Sequence, residues 1–156
     1  MRISTRLTLL PLSALLLGIV QASAVSADAV DVIKTRQHDF KDLGASTKVV
    51  KDQLGGGSPD AEKIKAAAAT IKQAAAAIPT WFPAGSDAST GVKTAAKAEI
   101  WSDAAGFASA RDSFIEQAGK FSVLANSGDP AAEADGFKAL GKTCGACHEK
   151  YRVKQD

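Results

Sequence analysis

The stretch IWSDAAGFASARDSFIEQAGKF, residues 100–121, sets Ile100, Phe107, Phe114 and Phe121 at strict seven-residue intervals. Large apolar side chains at that spacing line one seam of a helix, whereas on a strand they would alternate between its two faces. A strict seven also drifts against the 3.6-residue turn of a straight helix, which favours helices wound around one another with a left-handed twist. The segment therefore predicts a helix, from about Gly91 to Ala125, that packs lengthwise against other helices.

The remaining chain offers three such partners. From about Val30 to Leu54, the residues Ile33, Arg36, Phe40, Leu43, Thr47, Val50 and Leu54 alternate spacings of 3 and 4, a heptad seam. A second helix is expected to open at Ser58, with Pro59 in its first turn and Asp60 and Glu62 near the positive end of its dipole. Its seam is Ile64, Ala68, Ile71, Ala75 and Ile78, and Pro79 stops it. The last begins at Asp129-Pro130, an N-cap followed by proline at the first helical position, and carries Phe137, Leu140, Cys144, Cys147, His148 and Tyr151 on one stripe. Breaks fall at Gly55 to Pro59, Pro79 to Gly91 and Asn126 to Pro130.

Ala fills 27 of the 129 residues from Asp28 onward, and no window alternates in the manner of a strand. The expected fold is all-α, a near-antiparallel four-helix bundle. The runs Ala66–Ala69 and Ala74–Ala77 have two readings: a thin-walled helix that lets another subunit approach, or an exposed face filled with a good helix former.

The 156 residues carry 19 Lys+Arg against 17 Asp+Glu, a formal net charge of +2. Residues 1–27 hold Arg2 and Arg6 and no acid, so residues 28–156 are neutral. This first segment reads as a secretory signal peptide: two arginines, an apolar run from Leu7 to Val20, and small residues for cleavage after Ala27, with Ala24 as the alternative. Pro11 interrupts a run of 14 residues, shorter than the ~20 of a spanning helix. Residues 28–156 then form one domain. Their alternating charges exclude an electrostatic nucleic-acid binder, which needs clustered cations. Export implies the periplasm and an oxidising compartment, where two cysteines would ordinarily suggest a disulfide.

Their spacing suggests otherwise. Cys144-Gly145-Ala146-Cys147-His148 sets cysteines at i and i+3 and a histidine at i+4, all on one helical face. Two thiols there can add to the two vinyl groups of a haem while the adjacent imidazole reaches its iron, the pattern of covalently attached haem c. A thioredoxin-like pair needs a preceding strand, and a structural zinc site needs four ligands at suitable spacing. The disulfide reading stays open, though it leaves the apolar stripe around His148 unexplained.

With His148 as the metal ligand, the opposite side of the iron has few candidates. The one methionine, Met1, goes with the leader. His38 is the other imidazole, but it lies about 200° around its helix from Phe40 and is expected to face water. Tyr151 follows His148 by one turn and so stays on its side. Apolar carbon, with Phe40 as the candidate, is the simplest occupant, and burial of such a ring contributes about 1.5–3 kcal/mol in any case. A haem so covered is five-coordinate and high-spin. It takes nitric oxide or carbon monoxide in preference to anions, because the lid offers no hydrogen bond.

The single Cys-x-x-Cys-His near the end of an exported helical chain resembles cytochrome c′, the class II c-type cytochromes. The likeness spans essentially all of residues 28–156 and implies an up-down-up-down bundle enclosing one haem c. Arg36-Gln37 with Phe40 resembles the family's first-helix signature, in which the arginine lies by the haem propionates and the residue at Phe40 covers the vacant face of the iron. Low-spin relatives hold a ligating methionine there. Trp81-Phe82-Pro83-Ala84-Gly85 is similar to the loop between the second and third helices. Lys97-Ala98-Glu99-Ile100-Trp101 is similar to the third-helix segment, with Thr94 just upstream as the candidate to approach a propionate. Tyr151-Arg152 matches the family's ending, which implies that Arg152 sits near the iron-bound imidazole. The likeness further implies a homodimer through the first two helices.

Arg36 has physical sense of its own. A charge on an apolar seam is costly unless an anion such as a propionate pairs with it, or unless the side chain reaches out from the bundle end. Two functions remain: electron transfer with a periplasmic redox partner, and binding of nitric oxide that sequesters it. A peroxidase is not expected, since peroxide cleavage wants an acid–base group on the side that Phe40 occupies.

Overall fold

The computed structural model describes residues 22–154, with side chains from Asp28 onward. Most of the signal-peptide segment, residues 1–27, and the last two residues lie outside that range, as does the run from Leu7 to Val20.

The described residues form five α-helices and two short 3₁₀ turns: α1 (Ala22–Gly55), α2 (Ala61–Ala77), α3 (Glu99–Ser102), α4 (Ala104–Leu124) and α5 (Pro130–Tyr151). α3 and α4 together form the third rod of a four-helix bundle, in which α1 packs on α2, α2 on α4 and α4 on α5. The seams meet inside. Ile33, Leu43 and Val50 from α1 are buried, as are Ile64, Ala68, Ile71 and Ala75 from α2, Phe114 and Phe121 from α4 and Leu140 from α5. On α2 the alanines divide, with Ala67, Ala68 and Ala75 buried and Ala66, Ala69 and Ala76 exposed.

Caps differ from expectation at one end. α5 begins as its sequence implies, with the Asp129 carboxylate accepting from the backbone of Ala131 and Ala132 and Pro130 in the first turn. The cap of α2 is Asp60 rather than Ser58, because its carboxylate takes the Glu62 and Lys63 amides; Pro59 lies before the helix. Pro79 ends α2 as expected, inside a 3₁₀ turn, Ile78–Thr80, that tightens the last carbonyls. α1 runs back to Ala22, ahead of the expected start at Val30.

The third rod is the larger departure. Residues from Gly91 to Ala98 are not helical, and the rod is interrupted at Asp103, where φ is −115° and ψ 55°. The preceding 3₁₀ turn, Ala88–Thr90, closes on Gly91 at φ 79°, a left-handed conformation that glycine adopts without strain. The segment then runs extended and pairs antiparallel with the chain leaving α5: the Lys97 amide donates to Tyr151 O at 3.0 Å and the Val153 amide to Ala95 O at 2.8 Å. This isolated bridge, Ala96 with Arg152, is the one β-pairing among the described residues.

Candidate haem site

Between α1, α4, α5 and the loop that precedes α3 lies a cavity of about 540 Å³, a size that suits a small-molecule or cofactor pocket. All eight residues read from the sequence as binding residues border it. α5 contributes Cys144, Cys147 and His148 from successive turns, α1 contributes Arg36, Gln37 and Phe40, and Thr94 and Arg152 come from the two paired extended segments.

The α5 wall is built for neutral groups. Cys144 and Cys147 are free and half-buried. Burial pushes both thiols up, the neighbouring Cys147 adding to the effect on Cys144. They stay protonated at neutral pH, which suits thioether formation and not thiolate ligation of a metal. His148 is pushed down, first by burial and then by the positive charge of Arg152. The neutral imidazole is the form that can donate its lone pair to a metal.

On α1, Arg36 is 3% exposed, so the alternative of a side chain reaching out from the bundle end does not hold. Its Nη1 donates to Trp81 O at 3.2 Å and to the Ser86 hydroxyl at 3.0 Å, and its Nη2 to Ser86 O at 3.0 Å and Thr94 Oγ1 at 3.3 Å. The guanidinium also stands 4.6 Å above the centre of the Phe82 ring. Four of its five N–H groups thus pin the loop between α2 and α3. A bidentate pairing with a carboxylate, as read from the sequence, would compete with those bonds. The charge itself is unmatched: no ion pair of Arg36 exists among the described residues, and burial lowers its pKa. Gln37 donates to Lys93 O at 2.8 Å, fastening the same loop from the exposed side. Thr94 accepts from Arg36 and from the Ala96 amide, so its own hydroxyl proton is uncommitted.

Phe40 is half-buried and meets Trp81 edge to face at 4.8 Å and Phe82 at 6.1 Å. The rings continue around the cavity, Phe82 on Phe107 at 5.0 Å and Phe107 on Tyr151 at 5.3 Å. His38 is exposed, 3.3 Å from the Asp42 carboxylate, and does not border the cavity, in line with its expected surface position.

The cavity fits a haem on its own chemistry. Its lining is mostly apolar, as the macrocycle requires. Among the described residues Arg36, Lys41, Arg111 and Arg152 border it and no carboxylate does, which is the charge that two propionates would answer. Two thiols and a neutral imidazole lie on one wall.

The cytochrome c′ family profile matches residues 31–152. The chain belongs to the cytochrome c′ family. Members carry covalently bound haem c, and this chain does so with its two cysteines. It is 36% identical over 150 residues to a cytochrome c-556 of Agrobacterium fabrum, covering 92% of this chain and 94% of that one. A nitric oxide complex of a mutant cytochrome c prime from Alcaligenes xylosoxidans has a TM-score of 0.73 at 31% identity, over 81% of this chain and 97% of the other. A cytochrome c′ with ligand-controlled dimer dissociation has a TM-score of 0.76 at 29% identity, over the same shares.

The helix break at Asp103 was not read from the sequence. The Asp103 carboxylate takes the Tyr151 hydroxyl at 2.8 Å, the Lys150 ammonium at 2.6 Å and the Gly106 amide at 3.2 Å. The signal for it was local: an aspartate directly ahead of a helix-forming, apolar-periodic run is an N-cap candidate, hidden by the seven-residue seam that runs across it. Ser86, which receives two of the Arg36 bonds, carried no such signal.

Proposed function

We propose that this chain is a periplasmic electron-transfer and gas-binding haem protein in which His148 is the single axial ligand from the protein and Phe40 covers an open face. The observation that carries the reading is the make-up of the cavity. One wall offers two protonated thiols and a neutral imidazole, and the other offers a phenyl ring with no methionine or second imidazole beside it. When bound, the haem supplies one-electron chemistry and a site for small diatomic gases.

The protein's own groups divide the remaining work. Arg36 and Thr94 receive the propionate edge, the first by charge and the second by its free hydroxyl, with Gln37 holding the loop that carries them. Burial first, and then the flanking charge of Arg152, favour the neutral imidazole. Phe40 excludes water and offers no hydrogen bond, which leaves nitric oxide and carbon monoxide as the gases of choice. Phe40 supplies no acid–base group on that side, which argues against a peroxidase. Residues 1–27 act as the export signal. Among the described residues no helix is long and apolar enough to cross a membrane. The chain pairs as a homodimer through α1 and α2, where Ala45, Val49, Ala66 and Thr70 border a shallow groove.

A second reading, sequestration of nitric oxide as the main role, is favoured by the nitric oxide complex of the related protein. Titration of the purified holoprotein with nitric oxide and carbon monoxide, followed by absorption and Raman spectra, tests the coordination. A six-coordinate low-spin ferrous haem before any gas is added would overturn it. Rapid electron exchange with a periplasmic cytochrome favours the carrier; a deletion strain that respires normally yet is sensitive to nitric oxide favours the second role.

A further inference from the structure

The third rod breaks for one residue, and that residue holds the end of the haem-bearing helix. Asp103 leaves helical geometry and its carboxylate gathers the Tyr151 hydroxyl and the Lys150 ammonium, three and two residues after His148. The site is built to fit. A Cβ at Gly106 would lie 2.6 Å from the Tyr151 hydroxyl and 2.7 Å from Asp103 Oδ1, so only glycine leaves room for the pair. Tyr151 is 3% exposed, and its ring is closed in by Phe107. On its other side, the Tyr151 carbonyl accepts from Lys97 and the Arg152 amide closes the last turn on the His148 carbonyl at 3.1 Å. The last turn of α5 is therefore fixed both by side chain and by backbone.

We propose that Asp103 and Tyr151 are positioning residues that set the orientation of the His148 imidazole relative to the cavity. A helix end normally frays, and a ligand on a fraying turn would sample several ring orientations. The carboxylate and phenol hold that turn to one. The inference rests on His148 being the iron ligand, as argued above.

The test uses the haem-loaded protein and the variants Tyr151→Phe, which keeps the ring, and Asp103→Asn, which keeps the shape. Two readouts are taken: the iron–imidazole stretching band of the ferrous protein by resonance Raman, and amide hydrogen exchange of residues 148–152. Both variants should broaden or shift the band, and exchange should quicken by roughly fivefold, the factor given by one lost net hydrogen bond. Lys48→Ala, which removes an exposed pair on α1, should alter neither. An unchanged band in both variants would overturn the proposal, even with a lower melting temperature. If the wild-type protein has no iron–imidazole band, the ligand reading fails; quickened exchange would then still establish the latch as a clamp on the turn, and unchanged exchange would remove that as well.

Discussion

The Arg36 guanidinium donates to both the hydroxyl and the carbonyl of Ser86, fifty residues along the chain, at 3.0 Å each. One cation thus serves as the fastener of the loop and as the unmatched charge beside the cavity. Arg36→Ala removes hydrogen bonds to four acceptors and is expected to destabilise the fold by roughly 2–4 kcal/mol. Arg36→Lys should recover the charge without the fork and lie between the two. Urea unfolding of the holoproteins measures both; a lysine variant as stable as the wild type would show that charge alone suffices.

Phe40 has one flank on Trp81 and the other on the cavity. Phe40→Ala should cost about 2 kcal/mol, less than a fully buried ring would, and carbon monoxide should then associate faster, as stopped-flow absorption would record. Phe40→Met should convert the spectrum to that of a low-spin haem, since a thioether can then reach the iron.

The Asp103 carboxyl is held below the ordinary Asp range, first by Lys150, then by Tyr151 and the Gly106 amide. A depressed value means that the unfolded chain binds more protons in acid. The stabilisation is therefore complete above about pH 4 and is lost as pH falls through the folded value. Thermal melts of wild type and Asp103→Asn should differ most at neutral pH and converge on acidification. Parallel profiles would show that the charge contributes nothing.

Gly106→Ala sets two effects against each other. Helix propensity gains about 1 kcal/mol, while the new methyl meets the Asp103 carboxylate and the Tyr151 phenol, an overpacking that costs about 1–3 kcal/mol. Net destabilisation is expected, seen as a lower denaturant midpoint with an unchanged slope.

Cys144→Ser with Cys147→Ser leaves the cavity without thioether links. Acid–acetone extraction should then strip the haem from the variant and not from the parent.

The four-rod bundle and the haem motif were readable because their signals are local. Ile100, Phe107, Phe114 and Phe121 repeat at one period, and all four are buried. Cys144, Cys147 and His148 occupy one turn and a third. Arg36 was readable as an anomaly, a charge on an apolar seam. What it binds was not, because two of its acceptors are the backbone carbonyls of Trp81 and Ser86, and every residue carries a carbonyl. The break at Asp103 stayed hidden for a related reason: its partner Tyr151 is 48 residues away, and periodicity within one helix says nothing about a side chain arriving from another.

The rings that run from Phe40 through Phe82 and Phe107 to Tyr151 join the α1 wall of the cavity to the Asp103–Tyr151 pair at the end of α5. Close-packed aromatic contacts transmit displacement rather than absorb it. The α1 wall and the α5 wall of the cavity therefore share one mechanical frame. Substitutions at Phe40 and Tyr151 will not combine as independent changes, and a variant made to admit a larger gas will also read differently at the imidazole.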